Sequence, residues 1–323
     1  MSKACLVRGS INIDEVYTLP HIVRPGETIA STGFERKTGG KGSNQAYAAA
    51  RAGGRVVLDA QIGSDGLAVR DRIAAGGVDV SRVRVIEDEV TGRAIIQRSA
   101  TGENSIVLYA GANFANPGAK PDLDGFTHLL LQNEIPLKDT LAYLYEAGAR
   151  AMTSLYNPSP MPTRAVLRTF PWHCLTHLIV NEGELADIAI AFDAAPTAAS
   201  VADTARAQMR ALSAAPGFNP HIVIVTTIGP DGVVLLDPTG GDKRIMAWPA
   251  APVAKVVDTT GAGDTFAGYF VSLLMEMGDD APLDTVIPIC LTACALTVET
   301  AGAMESIAAR NDVDTRMAQS RSQ

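Results

Sequence analysis

The chain has 323 residues, of which 47% are hydrophobic and 19% charged, with a formal net charge of −8. This length lies at the upper edge of what one core supports, so a large unit with a small appendage and a pair of domains are both open, and the apolar content is that of a globular protein. The acidic balance argues by bulk electrostatics against nucleic acid or an anionic membrane as partner, but not against a nucleotide substrate, which local dipoles would read.

Residues 1–9 hold no apolar core of signal-peptide length, and no run is long enough to span a bilayer, so a cytoplasmic or nuclear location is expected. Cys5, Cys174, Cys290 and Cys294 form no disulfide framework, and the last two share a face of a predicted buried helix. Trp172-His173-Cys174-Leu175-Thr176-His177 offers potential metal ligands without a second cluster at zinc spacing.

Residues 4–7 read as a central strand ending at Gly9-Ser10. It delivers Asn12 and Asp14 just past its C-terminal end, where open α/β sheets bind ligands. Two residues apart on an extended segment, they face the same way; both are also turn formers. Residues 29–37, after the turn Pro25-Gly26, alternate loosely as a strand. Then Thr38-Gly39-Gly40-Lys41-Gly42-Ser43-Asn44-Gln45-Ala46 opens an Ala-rich helix to Ala52. It is not a Walker A loop, which needs an earlier glycine at fixed spacing and a Ser or Thr directly after the lysine; here Gly42 follows Lys41. It reads instead either as a helix start with a loose glycine turn, or as one whose backbone approaches a polyhydroxyl ligand, with the Asn44 amide as donor and acceptor.

Residues 55–63 form the next predicted strand, and Ser64-Asp65 cap a helix to about Ala75. Residues 92–99 and 104–110 make a hairpin around Thr101-Gly102-Glu103. With the strands near 12–18 and 29–37 it breaks the alternation of strand and helix. The four read as a small lid sheet inserted in a single domain spanning 1–323, with one face left to be covered by substrate or by a partner's lid.

From His128 the alternation is regular, with strands at 128–132, 151–156, 177–180 and 221–227 and helices at 138–147 and 202–214. The turn Gly229-Pro230-Asp231-Gly232 follows, then a hairpin at 236–248, and the tail from Met317 reads as a frayed end. The fold class is α/β: a three-layer, parallel-sheet core with helices on both faces, plus the lid. Asn12, Asp14, Glu134, Asn157, Asn181, Glu184 and Thr227 then gather at strand C-terminal ends on one edge of the sheet.

The stretch Val257-Asp258-Thr259-Thr260-Gly261-Ala262-Gly263-Asp264-Thr265-Phe266 is a glycine turn feeding an apolar helix to Met277, with a second apolar helix at 284–299. Free N–H groups and the positive end of the helix dipole make such a turn an anion site. Asp264 at that spot is either a simple helix cap or a base that deprotonates a hydroxyl while the amides hold the charge on the group it attacks, which means phosphoryl transfer to an alcohol.

The segments 39–46 and 258–266, with Gly9-Ser10-Ile11-Asn12-Ile13-Asp14 and Ala110-Gly111-Ala112-Asn113, resemble the ribokinase/PfkB family of carbohydrate kinases from about Cys5 to Val313. Tyr156-Asn157-Pro158-Ser159-Pro160 is similar to eukaryotic, especially fungal, members. The resemblance implies ATP-dependent phosphorylation of D-ribose at O5. It implies Asp264 as the base and Gly261, Ala262 and Gly263 as the anion hole, with Gly263 also on the ATP. Asn12, Asp14, Gly40, Lys41, Asn44 and Glu134 would hold the sugar. Asn181, Thr227, Gly229 and Gly232 would bind ATP, and Glu184 would hold Mg²⁺ through water. Asp258, Thr260, Thr297, Thr300, Gly302 and Ser306 would form a K⁺ loop, and the lid would make a homodimer. A nucleoside, deoxyribose or ketohexose kinase, and a non-catalytic sugar-binding protein, are the competing readings; Ile13, bulkier than the small residue common there in the family, bears on the pocket's shape.

Overall fold

The computed structural model describes residues 3–101, 103–115, 121–239 and 244–321. Gly102 of the foreseen hairpin turn, residues 240–243 of the later hairpin, and the two residues at each end of the chain lie outside them. The first half of the chain contains β1 (Cys5–Arg8), β2 (Asn12–Leu19), β3 (Gly33–Gly39), α1 (Lys41–Arg51), β4 (Val56–Ile62), α2 (Leu67–Ala75), β5 (Asp79–Val85), β6 (Gly92–Ser99) and β7 (Asn104–Tyr109). The second half contains β8 (His128–Leu131), α3 (Leu137–Ala149), β9 (Thr153–Tyr156), α4 (Arg164–Thr169), β10 (His177–Asn181), α5 (Glu182–Ala191), α6 (Val201–Ala214), β11 (Val223–Thr227), β12 (Val233–Asp237), β13 (Arg244–Trp248), α7 (Ala262–Met277), α8 (Leu283–Val298) and α9 (Arg310–Arg321).

A 9-stranded sheet runs β13-β12-β11-β10-β9-β8-β1-β4-β5, and a 4-stranded sheet runs β3-β2-β6-β7. β1 is an interior strand, parallel to both of its neighbours, β4 and β8. Its residues alternate between two apolar layers, which is why it reads as an unbroken apolar run. Cys5 and Val7 belong to the core layer that holds Phe266, Phe270 and Leu273 of α7 and Ala46 and Ala49 of α1, whereas Leu6 belongs to the layer that holds Leu144, Ile188 and Leu212 of α3, α5 and α6. Asn12 pairs with Gly39 on one side and Gly92 on the other, so the small sheet is rooted at the C-terminal end of β1.

The three-layer core and the second sheet agree with the expected class, with local corrections. The main sheet is not wholly parallel: β12 runs antiparallel to β11, and β13 to β12, so the expected hairpin starts at Val233 instead of 236. The strand expected at 29–37 is β3, shifted to Gly33–Gly39 by its register against β2. Ser64 and Asp65 do not cap α2, which follows a short 3₁₀ turn and has Gly66 as its N-cap; the Asp65 carboxylate instead accepts from Thr91 and Arg93. The tail from Met317 continues as α9, tied to the body by Arg310–Glu276 and Arg316–Glu299. Among the described residues, no helix is long and apolar enough to cross a membrane, and no three His, Cys, Asp or Glu side chains cluster to hold a metal ion. The four cysteines are free; Cys290 is buried on α8, and the Cys294 thiol donates to Ala262 O.

Candidate active site

α7 begins at Gly261, an N-cap at φ 83. The left-handed region suits glycine, and a Cβ there would lie 3.0 Å from Ala303 Cα. No side chain caps α7; Ala262 N donates to Thr259 O at 3.4 Å, which leaves the next N–H groups, of Gly263 and Asp264, facing a ligand. Asp264, 8% exposed, stands in the first turn without capping it. Its carboxylate is held from α1: Oδ2 accepts from Asn44 Nδ2 at 3.0 Å and Oδ1 from Gln45 Nε2 at 2.9 Å.

The second glycine turn is equally constrained. Gly40, the α1 N-cap at φ 96, lies against β2 so closely that a Cβ would come 2.7 Å from Asn12 N. This contact sets Asn12 beside the start of α1. Asn12 Oδ1 accepts from Asn113 Nδ2 at 2.8 Å, and Asn113 is itself fixed by the backbone of Ile11. Glu134 Oε2 accepts from Ser10 Oγ at 2.6 Å and from Lys41 N at 2.9 Å. Asn44 Oδ1 is buried with no hydrogen-bond partner among the described residues, and a ligand hydroxyl would satisfy it. Asp14 lies against Gly39. Burial first, then the neighbouring carboxylates of Glu134, Glu305 and Asp264, push its pKa up to about 7. Burial works against the charge on Lys41, but Asp264, Glu134 and Glu184 outweigh it and hold the ammonium's pKa above its ordinary value.

A cavity of about 220 Å³ opens beside this wall, lined by Lys41, Asn157, Asn181, Glu184, Thr227, Gly261, Gly263 and Asp264 among others. Asn181 and Glu184 form a reciprocal capping box at the start of α5: Glu184 N donates to Asn181 Oδ1 at 2.8 Å and Asn181 N to Glu184 Oε2 at 3.0 Å. Structural need alone accounts for this residue pair, yet both side chains border the cavity. Gly229 and Gly232 lie in the short turn after β11, outside the cavity lining.

Asp258 ties two loops together, accepting from Thr260 N and from Gly302 N, each at 3.0 Å. Burial raises its pKa, but these hydrogen bonds outweigh that effect and hold it below the ordinary range. Ser306 Oγ donates to Ala303 O at 2.9 Å within the second loop. Thr297 Oγ1 is turned to Thr265 Oγ1 at 3.0 Å, and its carbonyl accepts from Thr300 N. The structure therefore brings the Asp258, Thr260, Gly302 and Ser306 segments next to Gly261, while engaging the Thr297 hydroxyl elsewhere.

Reading residue types did not single out Gln45 or Gln132. Gln132 Nε2 donates to Gln45 Oε1 at 2.6 Å, and Gln45 Nε2 also donates to Asn157 Oδ1 at 3.1 Å. The available signal was a long amide next to Asn44 in the first turns of an Ala-rich helix.

A carboxylate buried at an uncapped helix start, between a polar wall and a cavity carrying a lysine, defines a phosphotransferase acting on a hydroxyl. The comparisons agree: residues 2–310 match the family described as pfkB family carbohydrate kinase, and the chain belongs to that family as a sugar kinase. It is 32% identical to a ribokinase of Haemophilus influenzae over 321 residues, covering 97% of each chain. The crystal structure of a ribokinase from Cryptococcus neoformans in complex with ADP is 49% identical, with a TM-score of 0.89 over 98% of this chain and 100% of that one. An Arabidopsis thaliana ribokinase complexed with ribose and ATP is 25% identical, with a TM-score of 0.79 over 98% of each chain.

Proposed function

We propose that the protein phosphorylates D-ribose at O5 with ATP as donor. The observation that carries this reading is the position of Asp264, at the seam between the polar wall of Asn12, Asp14, Gly40, Asn44 and Glu134 and the cavity of Lys41, Asn181, Glu184 and Thr227. The names of the relatives supply ribose and ATP. The sugar's primary hydroxyl gives its proton to Asp264, and the oxygen attacks the γ-phosphoryl in line. The amides of residues 261–264 take up the charge on the transferred group. Lys41 faces the cavity with Asn181 and Thr227, so its ammonium serves the phosphates as readily as the sugar.

When bound with the nucleotide, Mg²⁺ neutralises phosphate charge. Mg²⁺ is commonly held by one or two carboxylates together with phosphates and water, and Glu184, with one oxygen already in its capping box, fits the water-mediated role. The oxygen-only set of the Asp258 carboxylate, the Ser306 hydroxyl and the loop carbonyls around Thr300 and Gly302 fits K⁺, with Thr297 contributing through its backbone. Bound there, the ion would brace Gly261 through Ala303 without touching substrate. We also place a homodimer interface on the small sheet.

ADP release with Mg-ATP is measured with no sugar, D-ribose, 2-deoxyribose, a ketohexose and adenosine, in K⁺ and in Na⁺. Ribose-dependent turnover favoured by K⁺ is the expected result. Turnover on adenosine or the hexose alone overturns the substrate, and equal rates in both salts overturn the cation loop.

A further inference from the structure

Gln45 and Gln132 are both fully buried, and their hydrogen bonds form a chain with one direction. It starts at a backbone acceptor: Asn157 Nδ2 donates to Ile179 O at 3.0 Å, which leaves Asn157 Oδ1 facing Gln45. Gln45 must then present its Nε2, which donates to Asn157 Oδ1 and to Asp264 Oδ1. Its Oε1 points the other way and accepts from Gln132 Nε2. An amide is nearly symmetric in shape, and reversed it would set Gln45 Oε1 against a carboxylate, acceptor against acceptor. Asn157, itself fixed by Ile179 O, and the carboxylate forbid that reversal, and Gln132 completes the amide by donating to its Oε1.

We propose that Gln45, locked in direction by Asn157 and held from its other end by Gln132, is a positioning residue that fixes the Asp264 carboxylate toward the acceptor hydroxyl; this rests on the reading of Asp264 as base. Asn44 holds Oδ2 and Gln45 holds Oδ1, so the carboxylate cannot swing without losing a charge-assisted hydrogen bond. A packing role alone does not explain the chemistry. Gln132 Oε1 is buried with no hydrogen-bond partner among the described residues, a cost that Leu or Met of similar size would avoid. The residues come from four separate segments, the ends of β8 and β9 and the starts of α1 and α7, and meet at the Gln45 amide, which passes the chain on to Asp264 Oδ1.

The test compares wild type, Gln45→Met, Gln132→Met and Asp264→Asn by kcat, by KM for ribose and for ATP, and by the pH profile of kcat. The charged groups facing Asp264 are Lys41 on α1 and Asp14 on β2, with Glu134 and Glu184 around Lys41; none is altered in the two glutamine variants. Gln45→Met is expected to lower kcat on the order of tenfold to a hundredfold, the worth of one hydrogen bond to a charged group. Both KM values stay within about threefold. The acid limb of kcat moves to higher pH, because a lost donor to the ionised form raises a carboxyl's pKa. Gln132→Met gives the same pattern with a smaller loss. A Gln45→Met kcat within about threefold of wild type, or a loss with the acid limb unmoved, overturns the proposal. Should Gln45→Met fail to fold, Gln132→Met decides, and its full activity with an unmoved limb is the overturning result. Near-wild-type turnover by Asp264→Asn sinks the base reading itself, which separates that failure from a failure of the glutamine chain alone.

Discussion

At the scale of single residues, Asp14 carries the clearest pH signature. Its folded-state pKa is raised to about 7, first by burial and then by Glu134, Glu305 and Asp264. A raised carboxyl binds more protons folded than unfolded, so stability falls as pH climbs from the unfolded pKa, roughly 4, toward 7 and then levels off. The ligand-free enzyme is therefore strained by this group at neutral pH. On the proposed reading of Asp14 as a sugar contact, its ionised form is the better hydroxyl acceptor, so ribose binding should favour the deprotonated form. KM for ribose is then expected to fall about tenfold between roughly pH 6 and 8, following the ionised fraction. Asp14→Asn should raise the melting temperature of the free enzyme at about pH 7.5 by a few degrees, while weakening ribose and flattening that pH dependence. A melting point that drops, or a wild-type KM indifferent to pH, would show that the carboxyl is not held in this state.

At the scale of elements, the site is the meeting of α1 and α7, which touch almost backbone to backbone. A Cβ on Gly268 would lie 2.5 Å from both Ala48 Cβ and Gln45 O. That glycine sets the separation at which Asn44 and Gln45 reach Asp264. Gly268→Ala must push the helices apart; overpacking of this kind costs about 1–3 kcal/mol. The expected outcome is a modest loss of melting temperature with a disproportionate loss of kcat, on the order of tenfold or more. Loss of stability with kcat intact would show that the Asp264 contacts tolerate the shift. Both helix starts were legible in sequence because their chemistry is local: glycine turns with their polar residues lie within a few positions of each other. Buried strands such as β1 and β8 were legible as apolar runs. α5 was not, since Glu-Gly-Glu-Leu-Ala-Asp-Ile-Ala-Ile-Ala has alanine and isoleucine on several sides and a blurred helical period. β5 was missed because Arg82 and Arg84 interrupt its valines on a mostly exposed edge strand. Gln45 could not be assigned, because its partners Asn157 and Gln132 follow strands far away in sequence.

At the scale of the whole molecule, the small sheet leaves apolar surface uncovered. Ile106 and Leu108, two residues apart on the edge strand β7, are 52% and 50% exposed on one face, apolar area that calls for a cover. The register shows which face bears on the site: Leu108 pairs with Ala94 and Ala94 with Asp14, while Ile106 pairs with Ile96 and Ile96 with Val16. Directly opposed residues share a face, so Ile106 and Leu108 extend the surface that carries Asp14. A second copy seated there would cover the apolar residues and shield Asp14 from water together. Sedimentation at about 10 µM, the range in which specific interfaces of ordinary size hold, should show a dimer for wild type. The double variant Ile106→Lys/Leu108→Lys should sediment as a monomer, because two buried ammonium groups cannot be matched across a two-fold interface. Its KM for ribose should rise while KM for ATP stays level, since only the sugar wall borders this sheet. A wild-type monomer removes the interface. A dimer that survives both lysines moves it to another surface, and a monomeric variant with unchanged KM for ribose leaves the dimer but severs it from the sugar site.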